Sequence, residues 1–542
     1  MNASWWKECV IYQVYPRSFF DSNGDGIGDL AGITEKLNHL VDLGVNTLWV
    51  SPFFKSPQAD FGYDISDYCD VANEYGNLDD AKKLIDEAHA KGLRILFDLV
   101  LNHTSDQHPW FIDSKSSRNS QHADWYIWRD GRGPNGRLRP NNWRSGLEIK
   151  SAWHWSRERK QWYLGTFLPC QPDLNWRNPK VREAMFDAVR FWLDMGVDGF
   201  RLDMFGAIMK DPDFRSNPFH PYFEPSELFR LWRRDFTENT QDNFELAKEL
   251  RSVCAKYEPE RVLIGEVFGP PDVLKQYIGD GAGLHFTFLF DFLAFRFNKE
   301  YFTNRIRSYE KHFAPPFLPT YVVENHDRSR SFSRLGQDIF KAKVLALMML
   351  TLRGVPVIYQ GQELGMPNTY IPLAKAQDPI ARQYFWWMPE AISKRLSERI
   401  NRDEVRTPMQ WTSKPNAGFC PENIQPWLPV NNNYLDCNVE IQSSYRNSLL
   451  NWYKEILHTR KECSSLSRGD LVLISNLPEH VLGYSRTYET ETVYIYLNFS
   501  TRDEHIEVGK GKKVILSSDP GNLLGETLLK IAPYAGIALK EI

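Results

Sequence analysis

The sequence predicts an α/β fold: an eight-stranded (β/α)8 TIM barrel, an irregular domain inserted after strand three, and a C-terminal antiparallel β-sandwich. Three observations lead there. Eight short runs rich in β-branched and aromatic residues occur between residues 10 and about 365, several of them separated by amphipathic stretches. The third interval is too long and too irregular to be a single helix. From about residue 466 the helical spacing stops, and short strands follow one another with turn residues between them. A chain of 542 residues exceeds one typical core, so several domains are expected.

The first strand candidates are VIYQVYP (10–16), NTLWVSP (46–52), RILFDLVLNH (94–103) and GFRLDM (199–204). They continue with VLIGEV (262–267), LHFTFLF (284–290), TYVVENHD (320–327) and VPVIYQGQEL (355–364). Helical spacing marks ITEKLNHLVDLGV (33–45) and LDDAKKLIDEAHAKG (78–92). In NPKVREAMFDAVRFWLDMGV (178–197), Val181, Met185, Val189, Trp192 and Leu193 fall close to the 3.6-residue period. Asn178 before Pro179 is a good cap and first-turn pair, and Gly196 is a natural stop. A doubly wound open sheet is the competing arrangement of the same alternation.

The barrel is expected over 1–103 and 175–465. The insertion, 104–174, is rich in Trp, Gly, Pro, Asn and Arg, as in WRDGRGPNGRLRPNNWRSG, and is expected to lie over the barrel mouth. The sandwich, 466–542, draws on LVLIS, VLGYSRTYE, TVYIYLNF, KKVILSS and GIALKEI.

Composition narrows the function classes. The chain is 42% hydrophobic and 25% charged, as soluble globular proteins are. A net charge of −4 argues against an electrostatic nucleic-acid binder. The richest apolar run, VLALMMLTL (344–352), is far shorter than a membrane helix needs. The opening residues show no charged leader followed by an apolar core. Seven scattered cysteines suit reduced thiols, so a cytoplasmic protein is expected, with its oligomeric state left open.

In β/α barrels, functional groups come from the C-terminal ends of several strands. Those ends supply Tyr15, Asp98 and His103, Arg201 and Asp203, Glu266, and Asn325, His326 and Asp327. Arg201 and Asp203 are two apart on an apolar strand, DGFRLDMF, and so share a face. One buried acid usually signals a structural ion pair. Three acids at the same end of strands four, five and seven are hard to explain as packing.

With these residues in place, the chain resembles glycoside hydrolase family 13, the α-amylase family, in its oligo-1,6-glucosidase and α-glucosidase branch. The motifs that carry the resemblance are DLVLNH (98–103), QPDLNW (171–176), GFRLD (199–203), GEV (265–267), ENHD (324–327) and GVPVIYQGQELGM (354–366). The resemblance implies that Asp203 is the nucleophile, Glu266 the general acid/base and Asp327 the transition-state stabiliser. Arg201 is expected to keep Asp203 ionised, and Asp98 to orient Arg201. His103 and His326 match histidines that hydrogen-bond the reacting glucose, and Tyr63 matches a stacking position. Asp64 is expected to pair with Arg402 of INRDEVRTPMQW (400–411), closing the far end of a pocket for one glucose unit.

The stretch DSNGDGIGD (21–29) offers Asp21, Asn23, Asp25, the Ile27 carbonyl and Asp29 at calcium-loop spacing. Its twelfth position is Gly32 rather than Glu, so it is no EF-hand, and it resembles the family's structural metal loop. Ca2+ is the expected ion, with Mg2+ as the alternative. Two positions depart from the family. Met204 follows the nucleophile where relatives carry Val, Ala or Thr in keeping with linkage, and Arg328 replaces a common uncharged amide.

These residues imply a retaining, exo-acting α-glucosidase that takes small α-glucosides through a covalent glucosyl-enzyme. A transglucosidase or a sucrose or maltose isomerase would use the same intermediate. A non-enzymatic transporter heavy chain would need a membrane anchor and would tolerate loss of the acids.

Overall fold

The computed structural model describes residues 4–147, 150–220, 232–384 and 387–542. All eight expected strands form: β1 (Ile11–Val14), β2 (Thr47–Val50), β3 (Arg94–Val100), β4 (Gly199–Asp203), β5 (Val262–Gly265), β6 (Phe286–Thr287), β7 (Thr320–Val322) and β8 (Val355–Tyr359). They pair in parallel in the order β6-β5-β4-β3-β2-β1-β8-β7. A parallel bridge between Leu289 and Tyr321 joins the two edges and closes the barrel.

Alternation along the strands sorts the residues into two layers. Ile11, Trp49, Leu96, Val262, Ile264, Phe286, Val322, Val355 and Val357 fill the barrel interior. Tyr12, Leu48, Phe97, Phe200, Leu202, Leu263 and Ile358 face outward into the core shared with the surrounding helices. Those helices include α1 (Leu30–Leu43), α2 (Leu78–Ala90), α3 (Pro179–Met195), α4 (Gln241–Cys254), α5 (Pro271–Ile278), α6 (Lys299–His312), α7 (Ile339–Thr351) and α8 (Leu449–Glu462).

Local sequence sets their ends. Asn178 accepts the Lys180 N–H at the start of α3, and Gly196 ends it with φ 109°. Such a left-handed residue costs little only when it lacks a Cβ.

The insertion holds a helix over Pro109–Ser116 and a small antiparallel sheet in the order 128–129, 161–164, 153–156. It returns to the barrel where His103 bridges Asp173. The C-terminal region contains a five-stranded antiparallel sheet in the order 470–473, 481–488, 491–498, 536–541, 512–517. The second sheet of the expected sandwich is built from 504–507, 528–531 and 523–524, strands that the sequence had not marked. Its strands are short, and EHIE (504–507) carries a single apolar residue, so its periodicity is faint. Val481, Tyr496, Ile506, Leu529, Ile531 and Leu539 pack between the two sheets.

Among the described residues no helix is long and apolar enough to cross a membrane. All seven cysteines are unpaired.

Candidate active site

Sheet register places the charged residues in tiers above the apolar interior. Asp98 on β3 lies beside Arg201 on β4, and Val100 beside Asp203. On the other side Ile264 lies beside Arg201, so Glu266, two residues on, comes level with Asp203. The Glu266 N–H donates to the Leu202 carbonyl and continues the pairing past the strand end.

One guanidinium joins the three acids. Arg201 Nη1 donates to Asp98 Oδ1 at 2.7 Å and to Asp203 Oδ1 at 2.8 Å, while Nη2 donates to Glu266 Oε2 at 2.6 Å. The second Asp98 oxygen accepts from Trp49 Nε1 at 3.2 Å and from the Tyr63 hydroxyl at 3.3 Å. Asp98 therefore orients Arg201, as the sequence led us to expect.

The charge on Asp203 is set differently from that expectation. Burial pushes its carboxyl well above the usual range, and the negative charges of Glu266 and Asp98 add to the effect against the pull of Arg201. Burial likewise raises Asp98 to about 6. Burial and the neighbouring carboxylates thus oppose ionisation of Asp203, and Arg201, shared among three partners, offsets this only in part.

Asp327 sits among cations instead. Arg406 Nη2 donates to its Oδ1 at 2.7 Å, Arg402 Nη1 lies 3.5 Å from the same oxygen, and His326 Nε2 lies 3.2 Å from Oδ2. Burial opposes ionisation here too, but the Arg406, Arg402 and Arg201 guanidiniums hold this carboxyl well below the ordinary value. His326 is lowered to about 3 by burial and is therefore neutral at neutral pH. Gln13 Nε2 lies 2.7 Å from its Nδ1, and the Tyr63 hydroxyl lies 2.7 Å from its Nε2. The Tyr63 and His326 rings are stacked.

The far side of the pocket corrects one pairing. Arg402 bonds Asp60, not Asp64, with Nη2 2.8 Å from Asp60 Oδ1. Asp64 is fully buried and accepts the Ala59 and Asp60 N–H groups and the Ser56 hydroxyl. It shapes the loop that presents Asp60. Two aspartates four apart in ADFGYDISDY were indistinguishable by charge alone.

His103 is also buried, with its Nε2 3.0 Å from the Tyr63 carbonyl and its Nδ1 3.1 Å from Asn102 Nδ2. It thus braces Tyr63 through the backbone. Gln13, Asp60, Asp378 and Arg406 are site residues that the sequence reading missed. Only Arg406 carried a signal, as the second arginine of the NRDEVRTPMQW stretch.

Met204 adopts φ 39° and ψ 41°. That left-handed turn aims its N–H at Glu266 Oε2, 3.1 Å away. Met204, Gly206, Glu238, Asn239, Glu266 and Phe268 surround a crevice too narrow to admit a water molecule. Arg328 is exposed, next to Asp327.

In the 21–29 loop, Asp21 accepts the Gly24 and Gly26 N–H groups, Asn23 accepts that of Asp25, and Asp25 accepts that of Ile27. Asp29 accepts from Ser22 and caps α1 through the Gly32 N–H. Among the described residues no three His, Cys, Asp or Glu side chains converge as a metal cage. The oxygen donors of this loop are the type a hard cation takes, but Asp21 Oδ1 and Asp29 Oδ1 each already accept two hydrogen bonds.

A barrel whose strand ends gather three carboxylates around one arginine, beside the Asp60–Arg402 ion pair, has the site of a glycoside hydrolase. The chain belongs to the α-amylase family: residues 13–469 match the family described as alpha amylase, catalytic domain. It is 39% identical over 517 residues, 92% of its length and 90% of the other's, to a probable alpha-glucosidase of Rhizobium meliloti (strain 1021). It is 35% identical to the oligo-1,6-glucosidase of Parageobacillus thermoglucosidasius, covering 96% of this chain and 95% of that one. The solved structure of the alpha-glucosyl transfer enzyme XgtA superposes with a TM-score of 0.90 at 35% identity, covering 100% of both chains.

Proposed function

We propose that this glycoside hydrolase is a retaining, exo-acting α-glucosidase that removes terminal α-linked glucose from disaccharides and short oligosaccharides. One observation carries the reading. Asp203 and Glu266 bond opposite nitrogens of the same guanidinium, which keeps the two carboxyls within its span. Retaining enzymes need such closeness, roughly 5 Å, whereas inverting ones need room for a water between the acids.

In this reading Asp203 attacks the anomeric carbon as the bond to the departing oxygen breaks, and Glu266 supplies the proton. Water then enters with Glu266 as base, and the second displacement restores the α-configuration. Asp327, held ionised by its cationic neighbours, binds sugar hydroxyls and stabilises the positive charge that develops in the transition state. Asp60 and Arg402 cap the pocket where a longer chain would have to continue, hence release from the end.

Proton NMR of the first product from maltose and isomaltose tests this. Early α-glucose with no internal cleavage of longer chains is expected. Early β-glucose would overturn it.

Similarity to an α-glucosyl transfer enzyme supports a second reading, in which another sugar takes the place of water. Longer or isomeric sugars appearing early from concentrated disaccharide would favour it. When bound, Ca2+ at Asp21, Asn23, Asp25, Ile27 and Asp29 would stiffen the loop that leads into α1 and take no part in bond breaking, with Mg2+ as the alternative. The unpaired cysteines support a cytoplasmic setting.

A further inference from the structure

Between β8 and the segment carrying Arg402, two stretches of chain hold each other through reciprocal carboxylates. Asp378 is fully buried. Its Oδ2 accepts the Arg402 backbone N–H at 2.8 Å and the Arg402 Nε at 3.0 Å, and its Oδ1 accepts Nη2 at 3.0 Å. Asp403 answers in the other direction, its Oδ2 accepting the Gln377 N–H at 2.6 Å and the Asp378 N–H at 3.1 Å. The Ile380 N–H also donates to Asp378 Oδ1 at 3.0 Å, which pins the carboxylate to the start of the helix Pro379–Tyr384.

The consequence lies in what the fork leaves over. Asp378 engages the Nε–Nη2 edge of the guanidinium, and Asp60 shares Nη2 from the pocket side. Only Nη1 is turned toward Asp327, at 3.5 Å. A guanidinium held along one edge by a bidentate carboxylate cannot rotate about its terminal bonds without losing two charge-assisted hydrogen bonds.

We infer that Asp378 is a positioning residue. It fixes the rotation of Arg402 so that Nη1, the nitrogen that Asp378 and Asp60 leave over, is held toward the terminal glucose, and it thereby sets affinity for non-reducing ends. The inference rests on the pocket reading of Asp60 and Arg402. It adds a residue that touches no sugar and acts through Arg402 alone.

Because Arg402 contacts the sugar away from the breaking bond, loosening it weakens binding of substrate and transition state alike. The test is a double-mutant cycle on maltose and isomaltose, with Asp378→Asn, Arg402→Ala and the pair, read as KM and kcat separately. Asp378→Asn is expected to raise KM about tenfold or more with kcat changed by less than about threefold, the scale of one charge-assisted bond. In the Arg402→Ala background the same change should add almost nothing, and Asp378→Glu should recover part of the loss.

Asp403→Asn, which alters only bonds to backbone N–H groups, controls for loosened chain. If it reproduces the KM rise in full, Asp378 is structural and the inference fails. The inference also fails if Asp378→Asn leaves KM unchanged, or if its effect persists undiminished without Arg402. Should Arg402→Ala itself leave KM unchanged, the pocket reading falls and the inference with it.

Discussion

Each end of the barrel buries arginines, and the two ends treat them in opposite ways. At the mouth, Arg201 is shared by Asp98, Asp203 and Glu266. At the base, three guanidiniums gather where β7 and β8 begin. Arg353 donates to Glu310 and to the Phe313 and Phe317 carbonyls, Arg460 to those of Leu350 and Gly354, and Arg486 to those of Thr351 and Gly469. Backbone carbonyls take most of these donors, with Glu310 the one carboxylate among these partners, so the base is chiefly a bracket between the barrel and the C-terminal sheets. At the mouth three carboxylates share one guanidinium. Buried charge alone does not mark a reactive site; an unbalanced set of titratable partners does.

Substitutions at the two ends should therefore separate activity from stability. The largest effect is expected from Asp203→Asn, which should lower kcat on an aryl α-glucoside by at least about a thousandfold while leaving the melting temperature nearly unchanged. Next comes Asp98→Asn. The Asp98 charge helps to raise Asp203, so its removal lowers the Asp203 pKa and keeps the nucleophile ionised further into acid. The acidic limb of the kcat/KM profile should then move to lower pH, with about ten- to a hundredfold lower activity from a misdirected Arg201.

Arg486→Met, at the base, should do the reverse. It should cost about 2–4 kcal/mol of stability by stranding two buried carbonyls, visible in a denaturant midpoint, with kcat/KM unaltered.

Smaller effects sharpen the picture. Chelation with EDTA should lower the melting temperature by a few degrees and spare activity at 25 °C, since the 21–29 loop lies outside the acid cluster. Met204→Val should change the ratio of kcat/KM for isomaltose over maltose by about three- to tenfold, because Met204 follows the nucleophile and its N–H bonds Glu266.

Much of this was legible in the sequence. The eight strands were, because period and strand length agree wherever a strand is buried on both faces. Asp203, Glu266 and Asp327 were, because strand ends mark the barrel mouth. What escaped depended on contacts between distant segments. Asp60 and Asp64 carry the same charge four residues apart, and only the loop closed by Ser56 decides which one turns to Arg402. Asp378 sits in a stretch without a motif, and its partner lies twenty-four residues on. The sharing of one cation was invisible for the same reason: the sequence shows Arg201 beside Asp203, and the fold adds Asp98 and Glu266 to the same guanidinium.

The most direct measurement is mass spectrometry of peptides after incubation with a fluorinated α-glucosyl fluoride that slows the second displacement. One glucosyl adduct is expected, on the peptide containing DGFRLDMF and mapping to Asp203, and absent when Asp203 is Asn. An adduct on Glu266 or Asp327, or turnover with inversion and no adduct at all, would contradict the account.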